Sequence, residues 1–242
     1  MFTPLRTLWN SLPGICQVCG AWPASAVCDA CARRFRGEPQ RCGGCAAPSP
    51  TGAGLCGACL TRPAPAPLQA CVAAVDYAYP WNDLIARFKF RNEPGWAGPF
   101  ARQMVSTPQA AELLSRCDLV VPVPLTHQRL ADRGYNQAWE LVKALRRLLP
   151  RDTPAQADAL VRLLETPDQH SLPREQRLHN LQGVFAPHPQ RVPLIEQAHV
   201  LLVDDVMTTG ATLHAAAHAL RQAGAAQVSA IVFARTAPPN TA

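Results

Sequence analysis

Two adjacent carboxylates, Asp204 and Asp205, lie between an apolar run and a short loop of hydroxyl-bearing residues and glycine. Residues 200–212 read Val-Leu-Leu-Val-Asp-Asp-Val-Met-Thr-Thr-Gly-Ala-Thr. The apolar run predicts a buried strand, and open α/β sheets bind ligands at the carboxyl ends of their strands. The small loop residues let backbone N–H groups close on a phosphate where the next helix begins. The segment therefore predicts a sugar-phosphate site, in which the carboxylates take ribose hydroxyls and the loop takes a 5′-phosphate.

This segment resembles the phosphoribosyl pyrophosphate (PRPP) signature of type I phosphoribosyltransferases. It lacks the Gly-Lys-Ser/Thr of a Walker loop and the Gly-x-Gly-x-x-Gly of a dinucleotide-binding turn. The resemblance implies that Asp204 and Asp205 are catalytic and that the residues after them bind the phosphate of PRPP. Those residues are Val206, Met207, Thr208, Thr209, Gly210, Ala211 and Thr212. The alternative is a strand-to-helix turn with a solvated pair of aspartates.

Eight of the ten cysteines form Cys-x-x-Cys pairs near the amino terminus. The pairs are Cys16/Cys19, Cys28/Cys31, Cys42/Cys45 and Cys56/Cys59. Both thiolates of such a pair can bind one ion, and four thiolates complete a closed structural zinc site. The pattern repeats once, so it predicts a double zinc ribbon with two zinc ions, one in each repeat. A cross-braced arrangement, which joins the first pair to the third, is the alternative. Cys71 and Cys117 lie in or beside apolar runs and are predicted to be buried thiols.

The proline-rich segment 63–67 predicts an extended linker between two domains. Residues 1–62 are predicted to form the double zinc ribbon, preceded by a short amphipathic helix, and residues 68–242 a phosphoribosyltransferase-like domain. The patterns predict strands at 70–79, 118–122, 200–204 and 228–234. They predict helices at 81–90, 96–114, 136–149 and 211–223. This alternation predicts an α/β fold with a parallel sheet flanked by helices.

Further basic residues follow the predicted strand ends and helices. Arg129 and Arg133 are four residues apart and share one face of a helix, where they would bind a pyrophosphate. A solvated charged face is the alternative. Lys89 lies between two phenylalanines and would reach a phosphate, or extend its stem along apolar surface with its ammonium in water.

The segment 166–180 is long, polar and rich in turn-forming residues. These features predict a mobile lid over an active site. Its candidate ligand-binding residues are Gln169, Arg174, Arg177 and Asn180.

Taken in order, these segments resemble the ComF family, the ComFC or GntX type of amidophosphoribosyltransferase-like protein. The resemblance extends over the whole chain and includes Leu-Ile-x-x-Phe-Lys-Phe at 84–90 and Arg-Leu-Ala-Asp-Arg-Gly-Tyr-Asn-Gln at 129–137. It implies a type I phosphoribosyltransferase fold behind a zinc finger, and a link to DNA uptake and natural transformation. Glu165 and Asp168 depart from the family, which often has basic residues near the position of Gln169.

Composition adds weaker constraints. The net charge is +6 and nearly all of the positive charge is arginine, which fits an anionic ligand or nucleic acid. Arginine-favouring codon bias explains the excess equally well. No apolar run reaches the roughly 18–20 residues that cross a bilayer. These features predict a cytoplasmic protein without membrane insertion.

Two functions from different classes follow. The first is a phosphoribosyltransferase, a pentosyl glycosyltransferase, that binds PRPP with Mg²⁺ and uses an acceptor that the sequence does not identify. The second is a non-catalytic PRPP sensor that binds single-stranded DNA and works with the competence helicase machinery. The sequence leaves turnover open.

Overall fold

The computed structural model describes residues 14–37, 40–49, 54–62, 65–149, 152–163 and 183–237. The predicted amino-terminal helix lies outside the described residues. So do the predicted lid residues Gln169, Arg174, Arg177 and Asn180.

A parallel sheet with the strand order β1-β6-β5-β2 forms the centre of the described fold. Its strands are β1 (Ala70–Asp76), β2 (Leu119–Pro122), β5 (His199–Met207) and β6 (Gln227–Arg235). A separate antiparallel pair consists of β3 (Leu160–Arg162) and β4 (Phe185–Pro187). The inner strands β5 and β6 are buried along almost their whole length, as expected for a parallel sheet covered on both faces.

Helices cover both faces of this sheet. The helices in the described ranges are α1 (Asp29–Arg34), α2 (Gly57–Leu60), α3 (Trp81–Phe90), α4 (Ala97–Val105), α5 (Pro108–Arg116), α6 (His127–Arg133), α7 (Gln137–Arg146), α8 (Val192–Ile195) and α9 (Ala211–Gln222). Leu201 and Val203 of β5 share a hydrophobic core with α3, α4, α5 and α7. Val200 and Leu202 point to the opposite face, which α9 and the β3–β4 pair cover. The predicted α/β architecture is therefore confirmed.

The two cysteine repeats pack on opposite faces of the sheet beside its edge strand β1. Cys16 and Cys31 belong to the core on the α3 side, whereas Cys42 and Cys45 belong to the core on the α9 side. The backbone N–H of Cys71 in β1 donates to the carbonyl of Gly43 at 2.9 Å. The second repeat thus covers part of the exposed edge of the sheet.

Some predicted elements differ from the structure. The single helix predicted at 96–114 is wrong, because α4 ends at Val105 and α5 begins at Pro108. Proline cannot donate the backbone hydrogen bond of a helix interior, and it disfavours helical geometry at the residue before it, so Thr107 is extended. Strand β5 continues past both carboxylates to Met207. The β3–β4 pair was not predicted, since each strand has three residues and little periodicity. Among the described helices, none is long and apolar enough to span a membrane.

Candidate functional site

The central sheet brings the end of β5 next to the end of β2. Pro122 is paired with Val203, and the N–H of Val123 donates to the carbonyl of Val203 at 2.9 Å. Asp204 and Asp205 follow directly, at the carboxyl edge of the sheet. The segment that leads from β2 into α6 therefore starts beside the carboxylate pair.

The carboxylate pair is buried and carries one direct counter-charge from the described residues. The Nζ of Lys89 lies 2.9 Å from the Oδ2 of Asp205, and the N–H of Asp205 donates to the Oδ1 of Asp204 at 2.8 Å. Burial, and then the adjacent Asp205 carboxylate, raise the pKa of Asp204 to about 8. At neutral pH the proton on Asp204 relieves the repulsion between the two carboxylates. The pair is thus suited to hydroxyl donors or to a cation.

The loop after β5 turns through a left-handed glycine into the next helix. Gly210 is left-handed with φ 82°, and a Cβ there would lie 2.3 Å from the Cε of Met207. Helix α9 starts at Ala211 with no side-chain cap from Gly210. The N–H of Ala211 instead donates to the Oγ1 of Thr209 at 3.3 Å. Exposed Thr208 and Thr209 thus lie directly before the start of this helix, where free N–H groups favour an anion.

The other predicted loop residues fall into two groups. Thr208 is exposed and Thr212 half-buried, beside the start of α9. Met207 is buried, and its Sδ accepts from the Sγ of Cys71 at 3.4 Å, while Val206 packs against the core of the opposite face. The side chains of Val206 and Met207 therefore belong to the core, and only their backbone borders the loop.

The predicted arginine pair lies on α6, which starts from the cap Thr126. Arg133 is half-buried and lies over the ring of Phe90, with 5.6 Å from its Cζ to the ring centroid. Burial lowers the pKa of Arg133, and the charge of Asp205 opposes that shift. Arg129 is exposed one turn earlier on the same helix. The fold thus places Lys89 and Arg133 close to the carboxylate pair.

Two residues at this edge were missed by the sequence reasoning. Arg235 ends β6 and is buried, and its Nη1 donates to the carbonyl of Met207 at 3.2 Å. Phe90 is 75% exposed although it belongs to an apolar-looking motif. An arginine directly after a long apolar run was the available signal for Arg235, because such a run predicts a buried strand end.

The eight paired cysteines form two compact clusters. Cys16, Cys19, Cys28 and Cys31 form the first, and Cys42, Cys45, Cys56 and Cys59 form the second, with the Sγ atoms of each cluster within 4.8 Å of one another. Two Sγ–Sγ distances are 3.8 Å (Cys19 to Cys28) and 3.7 Å (Cys45 to Cys56). A zinc tetrahedron with Zn–S bonds of about 2.3 Å requires about 3.8 Å between sulfurs. The donor sets therefore fit zinc, and the pairing is sequential rather than cross-braced.

Backbone N–H groups favour the thiolate form that zinc binding requires. The N–H of Cys28 donates to the Sγ of Cys16 at 3.3 Å, and the N–H of Cys56 to the Sγ of Cys42 at 3.1 Å. Burial acts in the opposite direction, but these and neighbouring N–H groups outweigh it and lower the pKa of Cys16 to about 6 and of Cys42 to about 7.

The other two cysteines are separate from these clusters. Cys71 and Cys117 are both buried free thiols, as predicted. Burial raises the pKa of Cys71 to about 12, so its thiol stays neutral.

Comparison with known proteins identifies the family. The phosphoribosyl transferase domain family matches residues 159–239. DNA utilization protein YhgH of Escherichia coli K12 is 32% identical over 236 residues, which cover 93% of this chain and 99% of that protein. Competence protein F of Haemophilus influenzae is 32% identical over 216 residues, covering 87% and 91% of the two chains. The chain belongs to the ComF family.

A further ComF-family relative is competence protein ComFC of Bacillus subtilis, which is 32% identical over 65% of this chain and 62% of its own. Among solved structures, the glutamine PRPP amidotransferase from B. subtilis aligns at 20% identity and a TM-score of 0.34, over 56% of this chain and 26% of that chain. Hypoxanthine phosphoribosyl transferase of Trypanosoma cruzi aligns at 16% identity and a TM-score of 0.32, over 59% and 64%. The helix-flanked parallel sheet and the domain match confirm the predicted type I phosphoribosyltransferase fold of this ComF-family chain.

Proposed function

We propose that this ComF-family protein binds PRPP with Mg²⁺ at the carboxyl ends of β2 and β5 and transfers the phosphoribosyl group to an acceptor. The observation that carries the proposal is the buried Asp204–Asp205 pair, which is followed directly by a left-handed glycine and the start of α9. Carboxylates and a phosphate-binding turn at this spacing match the two ends of a ribose 5-phosphate.

The carboxylates are the proposed ligands of the ribose hydroxyls. Within the described part of the chain, the buried Oδ2 of Asp205 lies 2.9 Å from the ammonium of Lys89, which is its ion-pair partner. A ribose hydroxyl would replace the ammonium as the donor to this oxygen. Since Lys89 covers the oxygen, binding would displace its ammonium, and the phosphates of PRPP would offer it a new partner.

The loop and the basic residues would bind different phosphate groups of PRPP. N–H groups and hydroxyls of residues 208–212 would take the 5′-phosphate, because the start of a helix favours an anion. The N–H of Ala211 would exchange its contact with the Oγ1 of Thr209 for the phosphate. Arg133 and the displaced Lys89 would neutralise the departing pyrophosphate, with Arg129 as a further contact. Charge placed in advance beside the leaving group lowers the barrier for its departure.

Magnesium fits this site on the chemistry of its donors. Two adjacent carboxyl groups are hard oxygen ligands, and Mg²⁺ would displace the proton that Asp204, with its pKa raised to about 8, holds at neutral pH. Bound together with PRPP, Mg²⁺ would neutralise the pyrophosphate group. Zinc, in contrast, would occupy the two four-cysteine clusters, whose closed donor sets make it structural.

A second candidate function is a PRPP-sensing protein that binds single-stranded DNA and acts with the competence helicase machinery. Exposed aromatic rings beside arginines favour it, because bases stack on such rings while the cations hold phosphates. Tyr79 is 59% exposed and packs edge-on against Phe35, with ring centroids 5.6 Å apart. The guanidinium of Arg34 lies over Phe35 at 5.3 Å from the ring centroid. The names of the E. coli and H. influenzae relatives, which refer to DNA utilization and competence, agree with this function.

The decisive experiment is a calorimetric titration of the zinc-loaded protein with PRPP and Mg²⁺, run beside a pyrophosphate-release assay over a panel of nucleobases and amines. Binding with release of pyrophosphate supports the transferase, and Asp204→Asn with Asp205→Asn should abolish both. Undiminished PRPP affinity in that double variant contradicts the assignment of the site.

The second function is tested by oligonucleotide binding over a range of salt concentrations. Binding of PRPP without release, together with steeply salt-dependent binding of single-stranded DNA, supports the sensor. Tyr79→Ala should weaken DNA binding by roughly tenfold if a base stacks there. Turnover of PRPP with release of pyrophosphate, in a protein that does not bind single-stranded DNA, contradicts the second function.

A further inference from the structure

Arg235 joins the phosphate loop to the second cysteine cluster. Its side chain is 5% exposed at the end of β6. The Nε donates to the carbonyl of Cys45 at 2.9 Å, and the Nη1 donates to the carbonyl of Met207 at 3.2 Å and to that of Thr208. A single buried guanidinium thus holds a turn of the second cluster on one side and the first residues of the loop on the other.

The hydrogen bonds to the loop fix the direction of its N–H groups. In a planar trans peptide the C=O of one residue and the N–H of the next point in opposite directions. Because Arg235 holds the carbonyls of Met207 and Thr208, the N–H groups of Thr208 and Thr209 point away from it. The carbonyl of Met207 also accepts from the backbone N–H of Thr236 at 3.1 Å, so Arg235 acts mainly on the carbonyl of Thr208 and thereby on the direction of the Thr209 N–H.

The second cluster has two further contacts with the same region. Arg62, close to Cys59 in the chain, donates to the Nε2 of His214 in α9, the helix that follows the loop. Cys71 of β1, whose N–H donates to Gly43 of the second cluster, also donates to the Sδ of Met207. These contacts place the second cluster against the loop and the helix that would bind phosphate.

The first cluster is connected elsewhere. Its module meets α3, where the Nε1 of Trp81 donates to the carbonyl of Phe35 at 2.5 Å. The Nη1 of Arg87, also in α3, donates to the Oε1 of Gln17 at 3.1 Å. Two four-cysteine clusters thus contact different parts of the domain, so each serves as a control for the other.

We propose that Arg235 is a positioning residue of the phosphate loop, and that through it the second cysteine cluster, when it holds its metal, keeps the loop in the shape that binds the 5′-phosphate. The inference rests on the proposed PRPP site. Loss of the metal from the second cluster releases the Cys45 carbonyl, and the loop loses the anchor that orients its donors. Loss of metal from the first cluster leaves this anchor in place.

The first test is hydrogen exchange of the full-length, zinc-loaded protein without ligand. In Arg235→Met we expect amides of residues 207–213 to exchange roughly tenfold to a hundredfold faster, the factor for one or two lost hydrogen bonds to a charged donor. Arg41→Met is the matched control, because the Nη1 of Arg41 donates to the carbonyl of Ala46 in the same turn but its Nη2 pairs with Asp76. It should speed exchange at residues 42–47 and leave the loop unchanged.

The second test removes one ligand from each cluster. Cys28→Ser and Cys56→Ser are equivalent changes, because each cysteine precedes a short helix and donates its N–H to the first sulfur of its cluster. Cys56→Ser should speed exchange in the loop and lower PRPP affinity roughly tenfold or more, as Arg235→Met does. Cys28→Ser should leave loop exchange unchanged.

The outcomes separate this proposal from the proposed function. Unchanged loop exchange in Arg235→Met, or equal acceleration in the loop and in the buried strand residues 200–204, overturns the positioning role. Arg235→Lys keeps the charge but has a single donor group, so it should give loop exchange between that of the wild type and that of Arg235→Met. Exchange as slow as in the wild type would show that the fork of donors is not needed. Faster loop exchange in a protein that binds no PRPP would leave the positioning role intact and refute the PRPP site.

Discussion

Replacing Asp204 by asparagine should stabilise the ligand-free protein at high pH while weakening PRPP binding. Burial and the Asp205 carboxylate raise the pKa of Asp204 from its ordinary value of 3.8 to about 8. Between these values the folded protein binds a proton that the unfolded chain releases, so the free energy of unfolding falls as pH rises. Asparagine does not titrate and keeps an oxygen that can accept the N–H of Asp205, as the Oδ1 of Asp204 does at 2.8 Å.

The magnitude follows from one proton. A full difference of one proton changes the free energy of unfolding by about 1.4 kcal/mol per pH unit. Between pH 5 and 7, well inside the window, the wild type should lose roughly 2–3 kcal/mol relative to Asp204→Asn. Solvent screening does not remove this effect, because the side chain of Asp204 is only 9% exposed.

Urea unfolding at pH 5, 6 and 7 and constant zinc concentration measures this difference. Asp158→Asn is the control, because its ion pair with Arg191 lowers the pKa of Asp158, and its titration therefore lies below this range. The difference between wild type and Asp158→Asn should stay constant from pH 5 to 7. If the difference in free energy of unfolding between wild type and Asp204→Asn also stays constant from pH 5 to 7, Asp204 is ionised throughout and the reasoning is refuted.

PRPP binding gives an independent check on the same proton. If Asp204 must be ionised to accept ribose hydroxyls, binding releases a proton at pH 7. Calorimetry in buffers with different ionisation enthalpies should detect it, and PRPP affinity should rise from pH 6 to 8. Asp204→Asn should bind more weakly and without this pH dependence. Proton-neutral binding by the wild type would mean that the carboxylate does not need to ionise.

Three other predictions follow from the described contacts. Metal analysis should find about two zinc ions per chain, since each cluster offers four thiolates, and a value near one would contradict this. Gly210→Ala should cost about 1–2 kcal/mol of stability and reduce PRPP affinity, because φ is 82° and the new Cβ would meet Met207. Gly98→Ala is the control, because its new Cβ meets no atom within 4 Å and should not destabilise the protein. Equal melting temperatures for the two variants would argue against a strained turn at Gly210. Burial, and then Arg62, lower the pKa of His214 to about 4, so the contribution of the neutral imidazole to stability is lost as pH falls from about 6.5 to 4. In His214→Gln this loss should disappear from the free energy of unfolding in urea. The same pH dependence in His214→Gln and in the wild type would contradict this prediction.

The elements that depend on local pattern were predicted correctly. Strand β5, which carries Asp204 and Asp205, the helix after Gly210 and helix α3 lie close to their predicted positions. Apolar periodicity and small loop residues are properties of neighbouring residues, so a short segment suffices to predict them. The cysteine clusters were predictable for the same reason, because two residues of spacing bring two thiolates to one ion.

Contacts between distant segments were decided by the tertiary structure. The sequence could place Lys89 among phosphate ligands, but only the fold brings its ammonium to Asp205. Arg235 reaches both Cys45 and Met207 because β6 lies between β1 and β5, and strand order is not encoded in the pattern of any single segment. The break between α4 and α5 was available from Pro108 and was missed. The sequence by itself thus predicted the family, the resemblance to the PRPP signature and the two four-cysteine clusters, because these depend on residues close together in the chain. The packing of remote strands decided which cations meet the carboxylates and which cluster touches the loop.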